Sequence, residues 1–400
     1  MLFETRNPKA DMSSASDANS QTVTVVGGSA AGLLAASLLA QGGRSVRVFE
    51  RIEALDPLAR TLIVTHRVRQ LLGAAAERSI VNEIRRFELF TDGRSASIAL
   101  NRPDLIIERR ALIQGLAEQA QQVGASVELG RRFHGLHPNG NGLVLEVERG
   151  GIQEEVHAGI VVGGDGASSR VARAAGWAPL DTVPLVQAIV PLPKDMLSDT
   201  ARIWFIPEET PYFYWLIPES TDRGALGLIG ENDLGTRGHL EKFLEKRKLD
   251  PIEFQGARVP VYSHWVPVRQ RIGGADVYLV GDAAAQVKVT TVGGIVTGFR
   301  GAIGVSQAIL NGGVSRELRT LRRELDLHLW LRRSLHHFQQ ADYSRLVDLL
   351  NNAAKQSLGE YSRDEAWKVL WHVCLRQPRL LLLGIRGLLM RGRSLRRERA

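Results

Sequence analysis

Apolar and polar positions fall into clear local patterns along this chain. Thr22–Val26 is a short β-branched run that predicts a buried strand. Residues 27–32 are a Gly/Ala/Ser turn, residues 33–41 are apolar and helix-favouring, and residues 46–50 predict a second strand. Together they make a β-α-β unit of about 30 residues, the length a right-handed crossover needs. Residues 109–123 predict a helix with Leu112, Leu116 and Ala120 on one face. Residues 144–147 and 156–162 predict strands, the second running into a glycine turn. Short β-rich stretches at 185–192, 201–206, 212–218 and 224–229, separated by Pro and Gly, predict an inserted antiparallel sheet. A further buried strand is expected at 277–280 and a helix at 295–310. From Arg316 the pattern is helical, broken at Gly359 and Pro378, and no internal repeat is seen.

These elements predict an α/β fold: a Rossmann-like nucleotide-binding domain, an inserted and mostly antiparallel substrate-side sheet, and a helical C-terminal segment. The nucleotide-binding domain is discontinuous, at 22–180 and 270–312. The inserted sheet spans 181–269, the helical segment 313–400, and residues 1–21 read as a polar, disordered leader without the apolar core of a secretion signal.

Composition narrows the class. With 400 residues, 44% hydrophobic and 24% charged, the chain can bury a large core. Its one cysteine, Cys374, excludes an intramolecular disulfide and a cysteine-built zinc site, and no metal site is assigned. The formal net charge is +8, and the tail carries Arg376, Arg379, Arg386, Arg391, Arg393, Arg396, Arg397 and Arg399 against Glu398. No apolar run is long enough to span a bilayer. Apolar and basic residues alternate in the tail, which points to peripheral membrane contact through the C-terminal basic helices of a cytoplasmic protein. Nucleic acid is not an expected partner, since no recognised module accompanies the basic residues.

Three motifs carry chemistry. Gly27-Gly28-Ser29-Ala30-Ala31-Gly32 follows the first strand in the spacing G-x-G-x-x-G. Gly27 suits the tight turn, Ser29 replaces the glycine that lets backbone approach a pyrophosphate, and Gly32 lets helix and strand pack closely. Glu50, followed by Arg51, ends the second strand where a carboxylate meets ribose hydroxyls. Gly163-Gly164-Asp165-Gly166 follows a later strand. Gly281-Asp282-Ala283-Ala284 follows another and runs on to Gly293, Gly294 and Ile295 at the start of a helix. An aspartate after a buried strand can accept a hydroxyl hydrogen bond, and helix N–H groups can stabilise developing negative charge.

The order G-x-G-x-x-G, R-x-x-L (Arg109-Arg110-Ala111-Leu112), D-G and G-D resembles that of the FAD-dependent aromatic-hydroxylase superfamily, the group A flavin monooxygenases. The resemblance implies FAD as cofactor, with Gly27, Ser29, Ala31, Gly32, Glu50, Arg51, Gly281, Gly293, Gly294 and Ile295 at its site. It implies Arg109 near the pyrophosphate, Asp165 supporting FAD and nicotinamide-cofactor binding, and Asp282 on the ribityl chain. NADPH or NADH is the implied electron donor.

Within that superfamily the run from Val280 to Ile295 resembles the geranylgeranyl reductases, as do Phe213-Tyr214-Trp215-Leu216-Ile217-Pro218 and Leu375-Arg376-Gln377-Pro378-Arg379-Leu380. The likeness covers most of residues 22–389. Ala285 and Val292 stand where the pattern has glycine, and Val289 where it has proline. The cysteine that archaeal-type reductases carry soon after the second strand has no counterpart between Glu50 and Gln70.

The expected function is FAD-dependent reduction of a carbon–carbon double bond in an apolar, isoprenoid or lipid-like substrate. Hydroxylation of an aromatic or apolar small molecule is the alternative, and a non-catalytic flavoprotein or lipid-binding scaffold is the alternative of another class. The aromatic strand places Tyr212 and Tyr214 on one face and Phe213 and Trp215 on the other. Tyr212, Tyr214 and Trp215 are the candidate substrate pocket. No side chain stands out as a catalytic acid or base; His66 reads as a loop residue and Lys288 precedes the flavin-edge turn.

Overall fold

The computed structural model describes residues 22–140 and 142–397, with side chains to residue 388. The leader 1–21 and the side chains of Arg391, Arg393, Arg396, Arg397 and Arg399 lie outside the described residues. Six strands form the first sheet, in the order Arg269–Ile272, Ala275–Leu279, Ile160–Gly163, Thr22–Val26, Ser45–Glu50, Ser126–Leu129. All neighbours are parallel except the outer pair, Arg269–Ile272 with Ala275–Leu279. Buried on both faces, its central strands are near-continuous runs of Val.

The crossover helix Ala30–Gln41 is apolar all round and buried accordingly. Ala31, Gly32, Ala35 and Ala36 keep it thin enough to pack between the helices Arg109–Gln122 and Ile295–Leu310. Ser29 starts it by accepting the Gly32 N–H on Oγ at 3.2 Å. Glu108 starts the Arg109–Gln122 helix: its carboxylate accepts the N–H groups of Arg110 and Ala111 at 2.9 and 2.8 Å, which also sets negative charge at the positive helix end.

The second sheet has eight strands, in the order Glu253–Pro260, Thr182–Pro191, Arg223–Ile229, Tyr214–Pro218, Thr200–Trp204, Ile80–Thr91, Arg94–Glu108, Thr61–Val64. Three of these come from upstream of residue 181, so the segment 22–180 supplies strands to both sheets. The long hairpin Ile80–Thr91/Arg94–Glu108 turns on Asp92 and Gly93, both left-handed at φ 41° and 74°. Side-chain alternation splits the sheet into two faces. One packs Trp204, Tyr214, Leu216 and Leu226 on Leu240, Phe243 and Leu244 of the helix Asp233–Arg247. The other turns Ile84, Ile106, Trp215, Ile217 and Ile229 towards Val287 and Val292 of the first domain. A third sheet, Arg131–Asn139, Gly142–Arg149 and Ile152–Ala158, adds Phe133, Leu143, Leu145 and Val147 to the first domain's core.

The C-terminal segment is five helices: Arg316–Leu335, Gln340–Leu349, Asn352–Glu360, Ala366–Arg376 and Pro378–Arg397. Pro378 opens the last helix, where its missing N–H costs nothing. Gly359 sits inside the last turn of Asn352–Glu360, because that helix lies directly on the strand Arg94–Glu108: a Cβ there would run into the carbonyl oxygen of Ala99. The Gly359→Ala protein is therefore expected to lose about 1–3 kcal/mol through overpacking. A denaturant titration checks this; the midpoint falls while the slope stays unchanged.

Candidate active site

The apolar face of the eight-stranded sheet and the carboxyl ends of the parallel strands enclose a cavity of about 460 Å³. That is where ligands bind in open α/β sheets. At the parallel-sheet end it is lined by Ser29, Ala31, Arg60, Arg109, Gly281 and Asp282, with Gly293, Gly294 and Ile295 at the following turn. Gly27 and Gly32 stand just behind. A Cβ on Gly27 would lie 2.6 Å from the Gly164 oxygen, and one on Gly32 would strike the Gly27 carbonyl, so both let three backbone segments meet.

Glu50 and Asp165 do not line the cavity. Glu50 accepts the Gly28 N–H at 2.6 Å and the Ile52 N–H at 3.1 Å, holding the glycine turn against the second strand. Arg51 follows it as an exposed bend residue. Asp165 accepts Ser169 Oγ at 2.5 Å and the N–H groups of Arg170 and Val171 at 2.7 and 3.1 Å. It therefore holds the start of the short helix Arg170–Ala174, while its neighbours Gly164 and Gly166 reach the cavity wall.

Charge at the parallel-sheet end is unbalanced. The Asp282 carboxylate accepts no hydrogen bond among the described residues; burial pushes its pKa up, and Arg60 and Arg109 oppose that. Arg60 has a buried Nε without a hydrogen-bond partner. Burial lowers its pKa, Arg109 pushes the same way, and Asp282 counters. Two desolvated guanidiniums thus share one carboxylate, an arrangement suited to a buried anion. No side chain caps the helix Ile295–Leu310, so its first N–H groups are free at the cavity edge. These residues fit FAD: the paired arginines suit its pyrophosphate, Asp282 its ribityl hydroxyls, and the free helix end its electron-rich ring edge. Sequence reasoning missed Arg60, which stands in an irregular stretch before the strand Thr61–Val64.

The aromatic strand is divided by the sheet. Trp215 and Phe213 face the cavity, edge to face at 6.2 Å. Tyr214 does not: it points to the opposite face, stacked 4.3 Å from Phe243, with its hydroxyl donating to Glu209. Tyr212 is buried behind the wall, with the Arg332 guanidinium 3.8 Å above its ring. Strand alternation accounts for Tyr214. Tyr212 precedes the strand proper, where the backbone bends and alternation no longer governs direction.

Two residues of the C-terminal segment, Leu358 and Arg363, also line the cavity. Lys288 is buried and ion-paired with Asp364, which also accepts Thr65 Oγ1; Arg363 pairs with buried Asp104. Burial works to raise the Asp364 pKa, but Lys288, Thr65 and Arg363 outweigh it and hold the carboxyl at about 2. A depressed carboxylate stabilises the fold fully above the ordinary carboxylate range, and that contribution is lost progressively as pH falls from there to about 2. The turn between Lys288 and Gly293 is thereby fastened to the tail. His66 lies outside the cavity lining, beside Arg102.

Ala285 and Val292 both adopt left-handed backbone, at φ 51° and 49°. This explains the glycines that the family pattern has there. For a β-branched residue the conformation costs about 1–3 kcal/mol. Burial of the Val292 side chain among Tyr212, Trp215 and Ile217 offsets it.

Comparison with known proteins agrees with this geometry. Residues 20–311 match the family described as FAD binding domain. Digeranylgeranylglycerophospholipid reductase 2 of Methanothermobacter thermautotrophicus is 31% identical over 298 residues, covering 68% of this chain and 73% of the relative. Digeranylgeranylglycerophospholipid reductase of Methanoculleus marisnigri is 26% identical over 398 residues, 91% and 97% of the two chains. Among solved structures, a geranylgeranyl bacteriochlorophyll reductase-like protein of Thermoplasma acidophilum superposes with TM-score 0.74 at 20% identity, covering 90% and 97%. A p-nitrophenol 4-monooxygenase of Pseudomonas putida gives 0.60 at 16%, covering 92% and 98%. Fold and family define an FAD-dependent oxidoreductase with a Rossmann-like domain and a facing eight-stranded sheet. The chain belongs to the FAD binding domain family and, within it, to the geranylgeranyl-reductase-like branch.

Two substitutions test the site. Arg60→Gln should weaken FAD binding by about ten- to a hundredfold, the worth of a hydrogen-bonded charge; FAD titration into apoprotein measures it. At position 292, Val292→Gly should melt above Val292→Ala. Both lose the two γ-methyls and glycine also loses Cβ, but only glycine relieves the left-handed backbone, reversing the usual order of Ala over Gly by about 0.5–1 kcal/mol. Calorimetry of the pair decides this; an alanine variant at or above the glycine variant speaks against strain.

Proposed function

We propose that this protein reduces carbon–carbon double bonds of an isoprenoid or lipid-like chain, with electrons supplied by NADPH or NADH. The observation that carries the reading is the cavity wall opposite the cofactor end. Phe87, Ile203, Phe213, Trp215, Ile217 and Ile229 present carbon surface from one sheet face, with the Trp215 indole N–H as their one side-chain donor. Such a wall takes an apolar chain by burial, at about 25 cal/mol per Å² removed from water.

FAD, when bound, supplies hydride chemistry there. The chain's residues do the rest. Arg60, Arg109 and Asp282 would hold the cofactor, and the uncapped start of the Ile295–Leu310 helix would stabilise negative charge on it. The wall and Leu358 exclude water, which strengthens every charge interaction inside. Relatives acting on digeranylgeranylglycerophospholipid support the substrate class. Substrate of that kind resides in a membrane, which this chain contacts peripherally through its C-terminal helices.

The test is anaerobic incubation of the FAD-loaded protein with NADPH or NADH and a geranylgeranyl lipid, read by mass spectrometry. Gain of two hydrogens per double bond without oxygen is expected. Gain of an oxygen atom, appearing only in air, would make the protein a monooxygenase; no product from any donor would leave a non-catalytic scaffold.

A further inference from the structure

The three last-packed helices of the chain, Arg316–Leu335, Ala366–Arg376 and Pro378–Arg397, pack on one another and form one lobe. Its surface is unlike the rest of the molecule. Of seven tryptophans, Trp177, Trp204 and Trp215 are buried and Trp265 is half-buried, whereas Trp330, Trp367 and Trp371 are 58%, 62% and 55% exposed. All three exposed ones lie on this lobe. Trp367, Trp371 and Leu375 recur every four residues and so form one stripe along their helix, with the two indoles stacked 6.4 Å apart. Leu382 and Ile385 leave a second apolar strip on the last helix. Burying such groups in the core was open to the fold, since Leu383 and Val373 on the same helices are buried.

Charge is concentrated in the same part of the sequence. From Ala366 to Ala400 the chain has nine Lys and Arg against the single Glu398, which accounts for the whole formal excess of +8. The preceding residues are net neutral. No helix of the described residues is long and apolar enough to cross a membrane. Exposed indoles beside arginines, with no spanning segment, match what an interface of acyl chain and anionic headgroup takes up.

We infer that this lobe docks on an anionic bilayer, with Trp367, Trp371 and Leu375 entering the headgroup boundary and Arg379 and Arg386 contacting the lipid phosphates. A second copy of the chain fits the surface poorly, because a two-fold interface would set the same basic segment against itself. The lobe also reaches the cavity. Arg376 Nη1 donates to Ser357 Oγ at 2.8 Å, and Ser357 adjoins Leu358 in the cavity wall. Docking thus sets the membrane beside the helix that closes the cavity, which is how the lobe serves the lipid reading above; the docking itself does not depend on the reaction.

The test uses the full-length, FAD-loaded protein and two vesicle preparations: phosphatidylcholine alone, and phosphatidylcholine with a third phosphatidylglycerol. Co-sedimentation should show at least tenfold stronger partition to the anionic vesicles, falling with salt as surface charge is screened. Tryptophan emission should shift to the blue on binding. The variant Trp367→Ser/Trp371→Ser should lose about tenfold or more in partition, and Arg379→Gln/Arg386→Gln about tenfold on anionic vesicles only. Unchanged FAD content in both variants certifies their fold. Absence of partition to either vesicle, or a solution dimer that the tryptophan variant splits, would overturn the inference. Equal partition to both vesicles would overturn the part assigned to charge. Double-bond reduction of detergent-dispersed substrate should be the same in wild type and the tryptophan variant, so failure of docking and failure of the proposed reaction read out separately.

Discussion

The site depends on how closely three backbone segments approach at the carboxyl edge of the parallel sheet. Gly27, Gly32 and Gly164 meet there with no room for a Cβ between Gly27 and Gly164 or between Gly32 and Gly27. That closeness brings the start of Ala30–Gln41 to the cavity and lets the Asp165 turn cross beneath it. Ser29 in place of a middle glycine does not spoil the approach. Its side chain turns back to cap the helix and leaves the backbone in place. A cofactor with two phosphates suits an edge that leaves N–H groups free and sets two partly desolvated arginines at the cavity.

The tail is a wall of the site. Lys288 and Asp364, with Arg363 and Asp104, tie the turn before Gly293 and Gly294 to the C-terminal helices through charges largely removed from water. Breaking one partner of such a pair strands the other and is costly, whereas the pair as a whole stabilises little against apolar residues of the same shape. Its service is therefore geometric. It fixes where the strained turn at Val292 stands against the apolar sheet, and it joins cavity and lobe into one body.

Much of this was legible in the sequence. The β-α-β unit, the helices at 109–122 and 295–310, and the glycine turns announced themselves because each obeys a local rule of spacing. Glu50 and Asp165 fell at the right turns, but their carboxylates are taken up by backbone N–H groups, which spacing cannot reveal. The hairpin from Ile80 to Glu108 was missed because its strands carry Arg and Glu on an outer face; the Asp92-Gly93 turn was the available signal. Tyr214 falls on the face opposite Trp215 by strand alternation and stacks on Phe243, and Tyr212 sits at the bend before the strand under Arg332, which spacing alone does not reveal. Arg60, Arg363 and Asp364 reach the site through long-range folding alone. No local motif in the sequence marks them.

The account stands on FAD occupying the parallel-sheet end of the cavity. The most direct check is the stoichiometry of FAD on the purified protein, by visible absorbance against chain concentration after reconstitution and gel filtration. About one FAD per chain, displaced in proportion by loss of the Asp282 carboxylate in Asp282→Ala, is the predicted result. A folded protein that carries no FAD after reconstitution would contradict it.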